Sequence, residues 1–322
     1  MKPINPRINV YLLTGFLGAG KTTVLNQFLT TKKKENNSII ENEFGKVSID
    51  SLLVAVNYDA LFELNNGCIC CSLDNELVDV LAAIIKTEPR PDNLFIEASG
   101  VADPGGLAAL FNQKEVAGFF DLQKITCIVD ASTVEDWIKE VPEVSRQLAV
   151  ADIIVLNKKT SVTADHLVRL KAIMQQYNSL AEIIATDHGQ IPFAALDGKR
   201  TDWTSGKSTA EDTSPSGHPL KSIYIEIHEP FDREKLLNQL TMLLFLSYHQ
   251  IYRIKGLIWL ENNQAPVVIQ THGKQVNFTP LQGDKTPEYP QSQLVVIGKG
   301  LQRNALEKLF RRALARSENL TP

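Results

Sequence analysis

The stretch VYLLTGFLGAGKTT, at residues 10–23, decides the fold. Residues 10–14 form a short apolar run typical of a buried strand, and residues 21–31 have the apolar spacing of a helix. Between them, GFLGAGKT matches the phosphate-loop pattern G-x-x-x-x-G-K-[ST] in the strand–loop–helix context that it requires. The glycines let successive backbone N–H groups face phosphate oxygens, and the following helix N-terminus favours negative charge. The alternative is a glycine-rich turn; we predict a nucleoside triphosphate site, with Lys21 on the β- and γ-phosphates and the Thr22 hydroxyl on Mg²⁺.

A second strand end supplies a group for the γ-phosphate. Residues 94–97 form an apolar run that ends in Glu97, and Gly100 follows three residues later. We predict that Glu97 holds Mg²⁺ through water or positions the attacking water, and that the Gly100 amide contacts the γ-phosphate. An ordinary carboxylate at the end of a strand is the alternative.

A third strand end is the candidate for base recognition. Asn157 and Lys158 follow an apolar run at residues 153–157, where GTPases read guanine with Asn-Lys-x-Asp. Position 160 is Thr, and a hydroxyl cannot act as a bidentate carboxylate acceptor. We therefore expect weaker base selectivity. A polar loop entering a helix is the other interpretation.

Three of the four cysteines, Cys68, Cys70 and Cys71, lie within four residues. Strand alternation places Cys68 and Cys70 on one face, and thiolates near carboxylates make a soft site for Zn²⁺ or a similar ion. Two acids, Glu41 and Glu43, lie upstream in the expected switch region, so hydrolysis could change metal affinity. The alternatives are small buried apolar residues or a redox sensor. Cys127, alone in an apolar run, is predicted to be a core residue.

Apolar runs alternate with helical patterns through the first half, which predicts an α/β P-loop domain with a mostly parallel sheet. Residues 61–64 and 68–71 flank Asn-Asn-Gly and resemble a hairpin. A stretch at 197–218, rich in Gly, Ser, Thr, Lys and Asp, predicts a linker before a smaller α+β domain with an antiparallel sheet. We place the domains at 1–197 and 220–322, with a linker at 198–219. The remaining predicted strands are 38–40, 125–130, 182–185, 221–228, 251–260, 266–271, 275–278 and 294–297, and the remaining predicted helices are 73–86, 231–246 and 301–316.

Composition narrows the class of protein. The chain has 322 residues, 43% of them hydrophobic, and its 33 basic and 37 acidic residues give a net charge of −4. This balance gives no drive toward nucleic acid or an anionic membrane, and no apolar run approaches the ~20 residues of a membrane span. The N-terminal nine residues lack the apolar segment of a secretory signal, so we expect a cytoplasmic protein.

The motifs GFLGAGKTT, ENEFG at 41–45, GCICC at 67–71, EASGVADP at 97–104 and Arg253-x-Lys255-Gly256 together resemble the CobW family of P-loop GTPases. The resemblance covers nearly the whole chain and implies GTP-dependent delivery of a metal, such as zinc or cobalt, to a client protein. It implies metal ligation by Glu41 and the three clustered cysteines. It further implies that phosphate and Mg²⁺ are held by Gly15, Gly18, Ala19, Gly20, Lys21, Thr22 and Thr23.

The sequence departs from the family pattern at Thr160, at Lys46, where an acid is common, and in a linker without a histidine-rich tract. The expected function is a metallochaperone GTPase using GTP, Mg²⁺ and Zn²⁺ or another divalent transition metal, with Lys21 and Glu97 as catalytic residues and a homodimer allowed. The alternative is a nucleotide-dependent metal or redox sensor that delivers nothing.

Overall fold

The structure is a computed structural model that describes residues 6–41, 60–63, 76–100, 102–196, 220–247, 249–281 and 291–315. The chain divides into two compact units, Met1–Arg200 and Thr201–Pro322. Within the described residues, no helix is long and apolar enough to cross a membrane.

In the described part of the first unit, seven strands form a sheet in the order β3-β2-β4-β1-β5-β6-β7. Every pairing between neighbours in this sheet is parallel. The strands are β1 (Ile8–Thr14), β2 (Asn37–Glu41), β3 (Ala60–Glu63), β4 (Asn93–Glu97), β5 (Phe120–Asp130), β6 (Ile153–Asn157) and β7 (Glu182–Ala185). The predicted parallel sheet is therefore confirmed.

Helices connect these strands, and several begin at recognisable caps. Asp103 accepts a hydrogen bond from the Gly105 amide at the start of α3, and Thr163 accepts one from the His166 amide at the start of α7. The helices are α1 (Lys21–Thr31), α2 (Glu76–Ile85), α3 (Pro104–Leu110), α4 (Lys114–Ala117), α5 (Val134–Glu140), α6 (Pro142–Val150) and α7 (Ala164–Tyr177).

The alternation of β1 divides the core between the two faces of the sheet. Val10 and Leu12 pack with the apolar residues of α2 and α3. Tyr11 and Leu13 point the other way and pack with Val24, Leu25, Phe28 and Leu29 of α1. Because both faces of the sheet are covered, the residues of its inner strands β4 and β6 are buried along their whole length.

The strand order places the phosphate loop at the point where the winding reverses. The chain leaves β1 through α1 toward β2 on one side, whereas β5, β6 and β7 lie on the other side of β1. In open parallel sheets, ligands bind beyond the carboxyl ends of the strands at such a reversal. The loop after β1 is therefore in the position expected of a binding loop.

The described part of the second unit is a five-stranded antiparallel sheet in the order β11-β10-β9-β12-β8. Two helices, α8 (Arg233–Ser247) and α9 (Arg303–Arg311), pack on one face of it through a common apolar cluster. The strands are β8 (Leu220–Ile227), β9 (Ile251–Ile258), β10 (Val267–His272), β11 (Gln275–Pro280) and β12 (Ser292–Lys299). The predicted antiparallel α+β domain is confirmed.

Some predicted element bounds need correction. Helix α1, β6 and β7 have the predicted bounds, but β5 begins at Phe120 rather than at 125, and α9 ends at Arg311 rather than at 316. Strand β3 pairs with β2 in parallel. The second strand of the predicted hairpin, its turn and the whole predicted linker at 198–219 lie outside the described residues.

Phe310 anchors the core of the second unit, and its replacement by Ala tests that core. The side chain is fully buried and packs edge-on against Phe231, with ring centroids 6.4 Å apart. We expect Phe310→Ala to lower the free energy of unfolding by about 3–5 kcal/mol, measured by urea denaturation. The matched control is Phe245→Ala, since Phe245 is 71% exposed and should cost well under half as much. Equal losses in the two variants would contradict this packing.

Candidate functional site

The loop between β1 and α1 has the backbone of a phosphate cradle. Gly15 and Gly20 have φ angles of 142° and 100°. A Cβ at Gly15 would lie 2.0 Å from the Ile128 carbonyl oxygen, and one at Gly20 would lie 2.5 Å from Asn157 Nδ2. Both positions therefore require glycine, for conformation and for space. The first turn of α1 holds no acid, and Gly20 caps it without a side chain, which leaves the N-terminus suited to an anion.

Asn157, at the end of β6, holds two loops together. Its Nδ2 donates to the Ala19 carbonyl at 3.0 Å, and its Oδ1 accepts from the Gly189 amide at 3.1 Å. The side chain is 3% exposed. Both ends of its amide are engaged by backbone groups, so Asn157 positions the phosphate loop; its predicted contact with the base stays a prediction.

Lys158 lies against the phosphate loop. It has left-handed backbone angles, φ 58° and ψ 39°, and its Nζ donates to the Gly18 carbonyl at 3.0 Å and to Asp130 Oδ2 at 2.6 Å. Partial burial opposes ionisation of Asp130, but the hydrogen bonds from Lys158 and Ser132 outweigh it and hold the pKa of Asp130 below its usual value. The ammonium group of Lys158 is thus held between the end of β5 and the loop; stacking of a base on its stem stays a prediction.

Oxygen donors meet where Mg²⁺ is expected. The Thr22 hydroxyl, in the first turn of α1, donates to Glu97 Oε1 at 3.2 Å. Glu97 ends β4 beside β1 and is 8% exposed. A hydroxyl and a carboxylate are the hard ligands that Mg²⁺ takes in proteins, so these residues fit the ion.

Glu41, predicted to ligate the transported metal, lies next to Glu97. It ends β2 and is the register partner of Glu97 in the parallel pairing of β2 with β4. Neighbouring strands are ~4.8 Å apart, and register partners project to the same face of a sheet. Glu41 is 4% exposed. The two buried acids are therefore neighbours at the edge that carries the phosphate loop.

The predicted thiolate ligands Cys68, Cys70 and Cys71 lie outside the described residues. Within the described part of the chain, no group of three or more His, Cys, Asp or Glu could hold a metal ion. Cys127 is fully buried in β5, and burial raises the pKa of its thiol to about 12. It is a core residue, as predicted.

Gly100 lies against the phosphate loop. A Cβ there would approach the Leu17 side chain to 2.9 Å, and its carbonyl accepts from Gln147 Nε2 at 2.9 Å. Gln147 is fully buried on α6 and also donates to the Ala102 carbonyl at 3.4 Å. Sequence reasoning missed this support, because a glutamine inside a helix gives no signal of a partner 47 residues away.

A carboxylate that sequence reasoning also missed lies beside Thr160. The Thr160 amide and hydroxyl both donate to Asp187 Oδ1, at 3.1 and 3.0 Å. Asp187 lies in the loop after β7, two residues beyond Ala185. An acid just after a strand that ends at the same edge was the available signal.

The other predicted residues, Lys21 and Thr23, occupy the first turn of α1, with Thr23 exposed and Lys21 partly buried. The structure thus brings the predicted phosphate, Mg²⁺ and base-side residues to one edge of the sheet and adds Asp130, Gln147 and Asp187.

Comparison with known proteins places this geometry in a family. The profile described as "CobW/HypB/UreG, nucleotide-binding domain" matches residues 9–185, and that of "Cobalamin synthesis protein cobW C-terminal domain" matches residues 220–314. The chain is 32% identical over 321 residues to the zinc chaperone YjiA of Escherichia coli, covering 95% of this chain and 98% of that protein. It is 26% identical over 360 residues to the zinc-regulated GTPase metalloprotein activator 1 of Saccharomyces cerevisiae, covering 96% of this chain and 84% of that one.

A solved structure agrees with the fold. The crystal structure of Zn(II)-bound YjiA GTPase from E. coli superposes with a TM-score of 0.74 at 25% sequence identity. The match covers 97% of this chain and 100% of that one.

The bridging role of Asn157 generates a testable prediction. Asn157→Ala leaves the buried Ala19 carbonyl and Gly189 amide without their partner, so stability should fall by about 1–3 kcal/mol and nucleotide affinity by about tenfold or more. The measurements are urea denaturation and titration with a fluorescent guanine nucleotide.

The matched control is Asn178→Ala. Asn178 is also fully buried and donates to the carbonyls of Leu148, Ala149 and Ala151. It should lose comparable stability while the folded fraction keeps its nucleotide affinity. Equal loss of affinity in both variants would rule out a specific role for Asn157.

Proposed function

Because the chain belongs to the CobW/HypB/UreG family of P-loop GTPases, we propose that it uses GTP binding and hydrolysis to deliver Zn²⁺, or another transition-metal ion, to a client protein. The main observation behind this proposal is a pair of contacts. Glu41, a candidate metal ligand, is the register partner of Glu97, and Glu97 accepts a hydrogen bond from Thr22 of the nucleotide site. The printed names of the relatives, a zinc chaperone and a zinc-regulated metalloprotein activator, support zinc as the ion.

The nucleotide half of the proposal is supported by the loop geometry. Gly15, Gly18 and Gly20 have the positive φ angles that let a glycine loop turn its amides toward a phosphate, and Lys21 follows at the helix start. Lys21 provides a cation for the β- and γ-phosphates. This cation stabilises the negative charge that develops on the phosphate oxygens during hydrolysis.

Thr22 and Glu97 are the residues that would hold Mg²⁺. When bound, the ion would supply positive charge that offsets the negative charge of the phosphate groups. Glu97, directly or through water, orients the group that attacks the γ-phosphate, and the loop at Gly100, fixed by Gln147, contacts the phosphate that leaves.

The metal half rests on the chemistry of the ligand set. Thiolates and a carboxylate bind Zn²⁺ tightly, and Cys68, Cys70 and Cys71 with Glu41 supply both kinds. Glu41 is buried at the end of β2, and the pairing of β2 with β4 fixes its backbone next to Glu97.

The candidate metal ligand and the nucleotide site are close enough to be coupled. Glu41 and Glu97 are register partners on hydrogen-bonded strands, and Glu97 contacts Thr22 of the nucleotide helix. A change at the γ-phosphate that moves Glu97 or the end of β4 changes the position of Glu41, and the coupling acts equally in reverse.

The domain limits are proposed at 1–197 for the GTPase and 220–322 for the C-terminal domain, with a linker at 198–219. The two profile matches and the division of the chain near residue 200 support these limits.

Lys21→Ala tests the nucleotide half. We expect GTP hydrolysis to fall by about 100-fold or more, because the variant loses the cation on the transferred phosphate. The assay is phosphate release with Mg²⁺ and saturating GTP. Lys171→Ala, at an exposed position on α7, is the control and should keep the wild-type rate. Hydrolysis that survives in Lys21→Ala would contradict this mechanism.

The triple variant Cys68/Cys70/Cys71→Ser tests the metal half. Bound zinc should fall from about one ion per chain to near zero, since hydroxyl groups are poor zinc ligands. The measurement is elemental analysis combined with competition against a chromogenic chelator. Cys127→Ala removes the buried thiol and should retain the zinc. Unchanged zinc content in the triple variant would remove the cysteines from the site.

A further inference from the structure

The loop after β7 holds a carboxylate at the base-reading end of the site. Asp187 Oδ1 accepts two hydrogen bonds from Thr160, one from its amide at 3.1 Å and one from its hydroxyl at 3.0 Å. Thr160 occupies the position where the GTPase pattern Asn-Lys-x-Asp has its acid. The carboxylate of a residue 27 positions later in the sequence therefore lies next to the position where the pattern has its acid.

This loop is fixed to the segment that carries Asn157 and Lys158. The Lys159 amide donates to the Thr186 carbonyl at 3.0 Å, and the Gly189 amide donates to Asn157 Oδ1 at 3.1 Å. Gly189 has a φ of 65°, and a Cβ there would lie 2.8 Å from Val24 Cγ2 of α1. Contacts on both sides of Asp187 thus hold it in place relative to the phosphate loop.

The hydrogen bonds leave Asp187 with an unused acceptor. Both bonds from Thr160 end on Oδ1, and within the described residues Oδ2 makes no hydrogen bond. The hydrogen bond from the Thr160 amide is the largest effect and lowers the pKa of Asp187 below its usual value. Desolvation opposes it, and the Thr160 hydroxyl and nearby Lys159 and His188 add smaller effects that lower the pKa further. Asp187 is therefore ionised at neutral pH and can accept further bonds.

Guanine is the base that matches an ionised carboxylate. Its N1–H and its 2-amino group are two donors on one edge, whereas adenine presents an acceptor at N1 and no amino group at C2. The Thr160 hydroxyl donates its proton to Asp187, so Thr160 orients the carboxylate that would accept from this edge. A site that hydrogen-bonds these donors rejects bases that lack them.

We propose that Asp187 is the guanine-reading carboxylate of this chain and that Thr160 is a positioning residue that orients it. The proposal rests on the proposed GTP-binding function. It replaces the expectation of weak base selectivity, drawn from Thr160 alone, with selectivity for guanine over adenine nucleotides.

The test exchanges the hydrogen-bond character of position 187. Asp187→Asn replaces an acceptor by a donor, so the GDP affinity should fall by about tenfold for each charge-assisted bond lost. Xanthosine diphosphate carries a carbonyl at C2 in place of the amino group, so its affinity for the same variant should rise. The measurement is competition of GDP, ADP and xanthosine diphosphate against a fluorescent nucleotide, with folding checked by circular dichroism.

Two further variants complete the design. Glu182→Gln, an exposed acid at the opposite end of β7, removes one charge and should keep the wild-type preference. The double variant Thr160→Asp/Asp187→Thr places the acid at position 160 instead of 187. It should recover the preference for GDP over xanthosine diphosphate that Asp187→Asn loses.

An unchanged ratio of GDP to xanthosine diphosphate affinity in Asp187→Asn would overturn the inference while leaving nucleotide binding intact. Equal affinity of the wild-type protein for GDP and ADP would overturn it as well. A wild-type protein that binds none of the three nucleotides with Mg²⁺ would instead refute the proposed function itself.

Discussion

In a sheet whose strands all run the same way, every strand delivers its last residue to one edge. In the first unit that constraint brings together residues that are far apart in sequence, namely Glu41, Glu97, Asp130 and Asn157 at the ends of β2, β4, β5 and β6. The glycine loop after β1 lies at the centre of this edge. The remaining features of the site, including the two acids in register and the bridge from Asn157 to Ala19, depend on that placement.

The sequence predicted the parts of the fold that have a strong local pattern. The phosphate-loop motif gave the start of α1, and uninterrupted apolar runs gave β6 and β7 with their observed bounds. The first five residues of β5 were missed because Asp121, Gln123 and Lys124 break its apolar run. The helices α3, α4, α5 and α6 received no predicted bounds, because at four to nine residues they are too short to show a clear apolar period.

The site divides in the same way. The residues that follow each other in a motif, from Gly15 to Thr22, could be assigned from spacing alone. Asp187 and Gln147 could not, because their roles come from contacts with Thr160 and Gly100 across 27 and 47 residues. Thr160 shows the limit most clearly: alone it predicts weak base selectivity, and only the folded chain reveals the carboxylate that it holds.

The central claim is that the metal and the nucleotide are energetically linked through the adjacent ends of β2 and β4. The most direct measurement is the Zn²⁺ dissociation constant of the wild-type protein with Mg²⁺, determined by chelator competition once with a non-hydrolysable GTP analogue and once with GDP. The linkage predicts dissociation constants that differ by about 5–150-fold, with the same factor separating the nucleotide affinities with and without Zn²⁺. Identical Zn²⁺ affinity in the two nucleotide states would contradict it.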